Sequence, residues 1–219
     1  MKSGFGKPGK DGMPPPGPRP KPHKRPTQAR AKFTVEAIYQ AFVRIWLRDG
    51  WQRLTTREVA LEAGFAVGTL YDYFPSKEAL LSGYIRHCID LLLLRLDSEV
   101  VHAEGLDWRA RVQRLVRLCG APEPATQLFD LSMAMLEHEI AEPKHHQRVY
   151  QELSATWRQA LAACVDLPRP IAPQTADALF IMLWGGRRYC LTAQLSAEQV
   201  DAWLAEAERI IYARLEAAP

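Results

Sequence analysis

Hydroxyls, a guanidinium and two glycines gather in one short stretch of this chain. Residues 54–74 read LTTREVALEAGFAVGTLYDYF, with Thr55, Thr56 and Arg57 at the front, Gly64 and Gly68 in the middle, and Thr69, Tyr71 and Tyr73 behind. Thr55 or Thr56 can cap a short helix, and Glu58, three residues after Thr55, fits a capping box. Val59, Ala60 and Ala63 give that helix its apolar side, and Gly64 stops it. A further helix is expected from about Ala66 to Phe74. Two short helices around a glycine turn, with small Ala60 where they must approach closely, form a helix-turn-helix. The chemistry of such a pair is recognition, because its second helix enters the major groove of DNA.

Other chemistry is sparse. No Ser-His-Asp pattern and no phosphate-cradling glycine loop is found, so an enzyme is not expected, and neither is a cofactor. His138, His145 and His146 cluster with Glu137, Glu139 and Glu142, but Pro143 interrupts the run. Four-residue spacing on one helix is therefore absent, and these groups read as solvated helix ends rather than metal ligands. The four cysteines, Cys88, Cys119, Cys164 and Cys190, have no Cys-x-x-Cys spacing and sit in apolar helical patterns. They read as buried free thiols. No apolar run reaches the roughly eighteen residues of a membrane span, and a patch such as Leu91 to Leu94 falls far short. The lysines at the N-terminus lead into no apolar stretch, so no secretory signal is expected. The expected location is cytoplasmic, away from any membrane.

Charge is unevenly spread over the 219 residues, whose net charge is +3. Residues 1–32 hold nine Lys or Arg against Asp11 alone, a balance of +8 that leaves −5 for the remainder. The same segment holds eight of the sixteen prolines and five of the thirteen glycines. With so few apolar side chains it cannot offset the entropy of ordering. It reads as a disordered basic arm, either a solvated tail or an attachment to phosphates or a minor groove.

From Thr34 the periodicity becomes helical. Val35, Ile38, Ala41, Phe42, Ile45 and Trp46 recur at three- and four-residue steps, with Thr34 as cap and Asp49-Gly50 as stop. Ser76 caps a long fourth helix from about Lys77, whose buried stripe is Leu80, Leu81, Tyr84, Ile85, Cys88, Ile89, Leu92 and Leu96. Beyond the turn at Gly105-Leu106-Asp107, helices are expected near 107–118, 124–140, 144–166, 174–193 and 198–216. No stretch alternates like a strand, and the fold class is all-α.

Residues 35–81 resemble the DNA-binding domain of the tetracycline-repressor (TetR/AcrR) family of bacterial regulators. The matching elements are a first helix ending in Asp49-Gly50, then Thr55-Thr56-Arg57-Glu58-Val59-Ala60, Ala63-Gly64, Gly68-Thr69-Leu70-Tyr71, Tyr73-Phe74, and Lys77 with Leu80. The run Gly-Thr-Leu-Tyr-x-x-Phe-x-x-Lys is specific to that family. The resemblance implies a DNA-contacting set of Thr56, Arg57, Val67, Gly68, Thr69, Tyr71, Tyr73 and Lys77. Thr56 and the amides around it can hold a phosphate at a helix start. Arg57 can reach a phosphate or a guanine edge. Val67 offers a methyl surface, Gly68 lets the backbone come close, and Thr69 can donate to a base or phosphate. The hydroxyls of Tyr71 and Tyr73 and the ammonium of Lys77 suit backbone phosphates. Two departures stand out. Phe65-Ala66 replaces the family's usual Val-Ser, and Ala66 cannot cap the recognition helix, a loss on the order of 1 kcal/mol. Residues 33–80 also hold five basic against six acidic side chains, so the arm is expected to supply much of the attraction.

The resemblance further implies a homodimer through the last two helices, reading a near-palindromic duplex, and a small apolar or amphipathic effector. The effector pocket would lie between the helices behind the fourth, where Trp108, Phe129, Met133, Glu137 and Trp157 are the candidates to line it. Its filling would tilt the fourth helix and respace the recognition helices. Gly185-Gly186 fits close approach of helices, either across the dimer or within the chain. The chain thus divides into the arm (1–32), a three-helix helix-turn-helix domain (33–80) and a helical ligand-sensing and dimerisation domain (81–219). The expected function is transcriptional regulation, as a repressor released from its operator by an effector. The alternative is a regulator controlled by a protein partner or its own level, with no small-molecule ligand.

Overall fold

The computed structural model describes residues 29–121 and 131–217, and every regular element among them is a helix. In chain order these are α1 (Ala29–Arg53), α2 (Thr56–Glu62), α3 (Val67–Tyr73), α4 (Lys77–Leu96), α5 (Trp108–Gly120), α6 (Leu131–Ile140), α7 (Pro143–Ala162), α8 (Pro173–Thr192) and α9 (Ala197–Glu216). A π-helical turn over Asp97–Val101 extends α4.

Local signals set most of these boundaries. The Ser76 hydroxyl accepts from the amide of Ala79 and opens α4, and the Asp107 carboxylate accepts from Ala110 and opens α5. Pro143 and Pro173 stand in the first turns of α7 and α8, where the missing N–H costs nothing. Two expectations need correction. The first helix includes Ala29, and Thr34 lies inside it, its hydroxyl donating back to the carbonyl of Arg30 rather than capping. Gly50, at φ 71° and ψ 172°, leaves the helical conformation as its residue type suggests, and one more turn follows to Arg53. At α2, Thr55 does accept from the Glu58 amide, but its hydroxyl donates to the Glu58 carboxylate, which is thereby not bonded to the cap backbone. The reciprocal capping box occurs instead at Ser196 and Gln199, opening α9.

The helices bury two apolar cores that share α4. The first joins Ile38, Phe42 and Ile45 of α1, Val59 of α2, Leu70 of α3 and the first half of α4, from Leu80 to Ile85. The second joins the later part of α4, Ile89, Leu92 and Leu96, with α5, α7, α8 and α9. Cys119, Cys164 and Cys190 are buried, Cys88 is half-buried, and all four are free thiols. No helix among the described residues is long and apolar enough to cross a membrane.

Two features fix α4 at its ends. The buried guanidinium of Arg111 on α5 donates to the carbonyls of Val100, Val101 and Ala103. It thereby satisfies acceptors that the π-turn and the chain beyond it leave without helical partners. Near the other end, Gly83 lets α4 lie directly on the first core. A Cβ there would sit 2.8 Å from Phe74 Cε1 and 2.9 Å from the Tyr39 hydroxyl. Both rings are buried, so neither can swing away. Gly83→Ala is therefore expected to destabilise the protein by about 1–3 kcal/mol through overpacking, despite alanine's better helix propensity. Denaturant unfolding of the two proteins measures it, and an unchanged midpoint would refute the contact.

Candidate nucleic-acid interface and effector cavity

The helix-turn-helix is held by what it buries. Leu70 of α3 and Val59 and Ala60 of α2 are fully buried, and Gly64 turns the chain at φ 77°. The amide of Phe65 donates to Ala60 at 2.9 Å, closing the turn. This leaves the opposite side of α3 as a ridge. Gly68 is exposed, Val67 and Thr69 are half-exposed, and no atom lies within 4 Å of where a Gly68 Cβ would stand. Nothing among the described residues requires glycine there. Ala66, at the cap position of α3, makes no side-chain cap bond.

The polar groups around the ridge fall into two sets. The Thr56 and Tyr71 hydroxyls lie 3.1 Å apart and link the start of α2 to α3. Arg57 is exposed and makes no ion pair among the described residues. Tyr73 is half-buried, its ring 6.4 Å from that of Phe74. Lys77 is engaged internally. Its ammonium donates to the carbonyl of Trp51 at 3.2 Å and sits 4.4 Å from that indole's centre. Two further cations are tied up on the flank of α1. Arg44 pairs with Glu62 at 2.8 Å, and Arg48 pairs with Asp49 at 2.8 Å and Glu62 at 3.8 Å.

Behind α4 lies a cavity of about 550 Å³. Its α4 wall is apolar, formed by Ile85, Cys88, Ile89 and Leu92. The polar groups come from the other helices: Glu137 and His138 from α6, His146 from α7, and Arg187 and Arg188 from α8. Glu137 meets His146 Nδ1 at 3.5 Å, and the rings of His138 and His146 are 5.8 Å apart. Burial pushes the Glu137 carboxyl above its ordinary pKa, against the opposing pull of His146, Arg188 and His138. Glu137 and His146 are thus half-buried cavity groups rather than solvated helix ends, whereas His138 at the cavity edge and Glu139 are exposed as expected. Among the described residues no cluster of three could hold a metal ion.

The residues expected to line a pocket scatter. Of that set, Glu137 lies on the cavity. Trp108 instead meets Tyr212 edge-on at 5.5 Å, and Trp157 packs 6.0 Å from Phe180, both within the second core. Met133, fully buried, belongs to the first core. Phe129 lies outside the described residues. Large apolar side chains satisfy a core as readily as a pocket, and their periodicity alone cannot separate the two. The signal for the cavity was the polar cluster around Pro143 beside an apolar α4 face. Of the paired glycines, Gly186 packs within the chain, where a Cβ would come 2.5 Å from Trp203, whereas Gly185 is open. Gly185 lies on an exposed face of α8 with Ile181, Met182 and Tyr189, and α9 exposes Ile210.

Residues 38–83 match the family of bacterial regulatory proteins designated tetR. The chain is similar to the nucleoid occlusion factor SlmA of Shewanella frigidimarina (strain NCIMB 400), at 32% identity over 83 residues, 38% of this chain and 41% of that protein. SlmA of Escherichia coli O1:K1 is 28% identical over 117 residues, 52% of this chain and 58% of that protein. The chain spans about half the length of the curated relatives it matches. A solved transcriptional regulator from Rhodococcus sp. Rha1 shares the fold with a TM-score of 0.59, at 20% identity over 84% of this chain and 99% of that one. The matched segment contains the whole of α2, the Gly64 turn and α3, and it is this helix-turn-helix part of the chain that carries the tetR-family pattern.

Proposed function

We propose that this protein is a sequence-specific DNA-binding transcriptional regulator, a repressor that leaves its operator when a small effector fills the cavity behind α4. The observation that carries the DNA-binding reading is the open α3 ridge of Val67, Gly68 and Thr69, flanked by the Thr56–Tyr71 hydroxyl pair and the exposed Arg57. Backbone at Gly68 can approach base edges, and Arg57 can meet a phosphate or guanine. The hydroxyl pair positions itself before DNA arrives, so little entropy is lost on docking. Lys77 contributes by a different route from a direct phosphate contact. Stacked on Trp51, it pins the last turn of α1 to the start of α4.

A dimer supplies the second reading head. The exposed apolar face of α8, with Gly185 at its centre and Ile210 of α9 nearby, fits the seam between two copies. Two-fold pairing would set recognition helices about 34–36 Å apart, one turn of B-form DNA.

Effector control rests on how α4 and α6 are shared. Ile85 and Leu80 of α4 and Met133 of α6 belong to the first core, while Ile85, Cys88, Glu137 and His138 of the same two helices face the cavity. A ligand wedged there acts on helices that already hold the reading head. The likeness to a nucleoid occlusion factor favours a second reading, control by a protein partner.

Three outcomes are expected. Arg57→Ala combined with Tyr71→Phe abolishes specific retention on selected duplex fragments while sedimentation shows an intact dimer; continued protection of the same operator would mean the contacts lie elsewhere. Deleting residues 1–28, which carry most of the arm's positive charge, weakens binding and flattens the slope of log affinity against log salt; an unaltered slope removes the arm from the interface. Ala141→Phe, which fills the cavity, yields a repressor that a protein-free small-molecule extract no longer releases. Release equal to the parent's moves the small-molecule site away from this cavity, and failure of the extract to release even the parent favours the protein-partner reading.

A further inference from the structure

The cavity carries a charge pattern that its apolar character hides. Arg187 and Arg188 bring two fixed cations to its α8 wall, and His138 and His146 bring two imidazoles from α6 and α7. One acid, Glu137, opposes them among the described lining residues. Arg187 is 8% exposed and lies with its guanidinium 5.1 Å from the centre of the Trp184 ring, so its charge is held in a poorly solvated place. His146 turns Nδ1 toward Glu137, and its Nε2 is buried with no hydrogen-bond partner among the described residues. The facing α4 wall offers no polar group at all beyond the Cys88 thiol.

We propose that the cavity takes an amphipathic monocarboxylate, with its carboxylate at Arg187, Arg188 and His146 and its hydrocarbon body along Ile85, Ile89 and Leu92. This rests on the effector reading and names the chemistry of that effector. An arginine fork matches a carboxylate with paired hydrogen bonds. The carboxylate also presents an acceptor to an N–H at His146 Nε2, which has no partner among the described residues. Of the two arginines, the buried Arg187 attracts an anion more strongly, because water is scarce around it. A cationic head would meet the two arginines at close range. A dianionic phosphate would meet Glu137 as well, and would carry more charge than a wall so largely apolar can desolvate. Burial tips Glu137 toward its neutral form, and this lowers its opposition to a single negative charge. The volume of about 550 Å³ falls within the span of small-ligand sites.

Titration calorimetry of the full chain with decanoate, decanol and decylamine, each below its micelle-forming concentration, tests the assignment. Decanoate is expected to bind about tenfold more tightly than decanol or more, and decylamine more weakly than either. Arg188→Gln, at an exposed position, and Arg187→Met are each expected to erase most of the decanoate preference while sparing decanol. Arg188→Gln keeps the comparison readable if Arg187→Met fails to fold. Equal binding of acid and alcohol, tighter binding of the amine, or a preference untouched in the folded variants overturns the carboxylate assignment. Release of DNA by decanol or decylamine in such a case leaves the effector reading standing. No binding of any probe, together with an Ala141→Phe variant that responds like the parent, removes both.

Discussion

Helix α4 belongs to two cores at once, and the rest of the molecule depends on that. Its first half completes the apolar interior of the reading head, and its second half completes that of the C-terminal helices. Gly83 allows the first contact to be close, and the Arg111 guanidinium holds the far end of the π-turn in place. A helix packed this densely does not bend continuously. Close-packed interiors shift between discrete arrangements, so under the proposed effector control a displacement at the cavity wall would move the whole rod. The salt bridge of Arg86 to Glu152 ties the same helix to α7, and Arg86 also pairs with Asp90 one turn along α4. They are half-exposed and steer orientation more than they add stability.

The reading head and the cavity illustrate two uses of charge. On the head, Glu62 and Asp49 neutralise Arg44 and Arg48, and Lys77 is held over Trp51. Arg57 is left beside the ridge. In the cavity the arrangement is reversed: several cationic or protonatable groups converge on one buried acid. The first arrangement leaves contact geometry to set affinity, and the second makes a charged occupant the natural counterpart.

Much of the architecture is legible in the sequence because local rules dominate it. Ser76, Thr55, Gly64 and the prolines at 143 and 173 each mark a boundary by a single-residue mechanism, and the stripe from Leu80 to Leu96 fixes α4 by period alone. The start of α1 was not readable, because Ala29 to Lys32 carry helix-forming residues with no cap and no apolar stripe to announce them. The π-turn escaped for a related reason: it depends on Arg111 arriving from a different helix. The open ridge at Gly68 could be anticipated from residue type. The cavity could not, because whether Trp157 or Met133 fills a core or lines a void is decided by neighbours distant in the chain. His146 and Glu137 meet across the Pro143 break, and that proximity too is a property of the folded chain.

The internal pairing of Arg44 and Arg48 has a consequence for traffic along a chromosome. A reading head with little spare positive charge releases few counterions by itself, so sequence-independent adhesion falls to groups outside it, the basic N-terminal residues first among them, and the tasks of holding on and of discriminating are carried by separate parts of the chain.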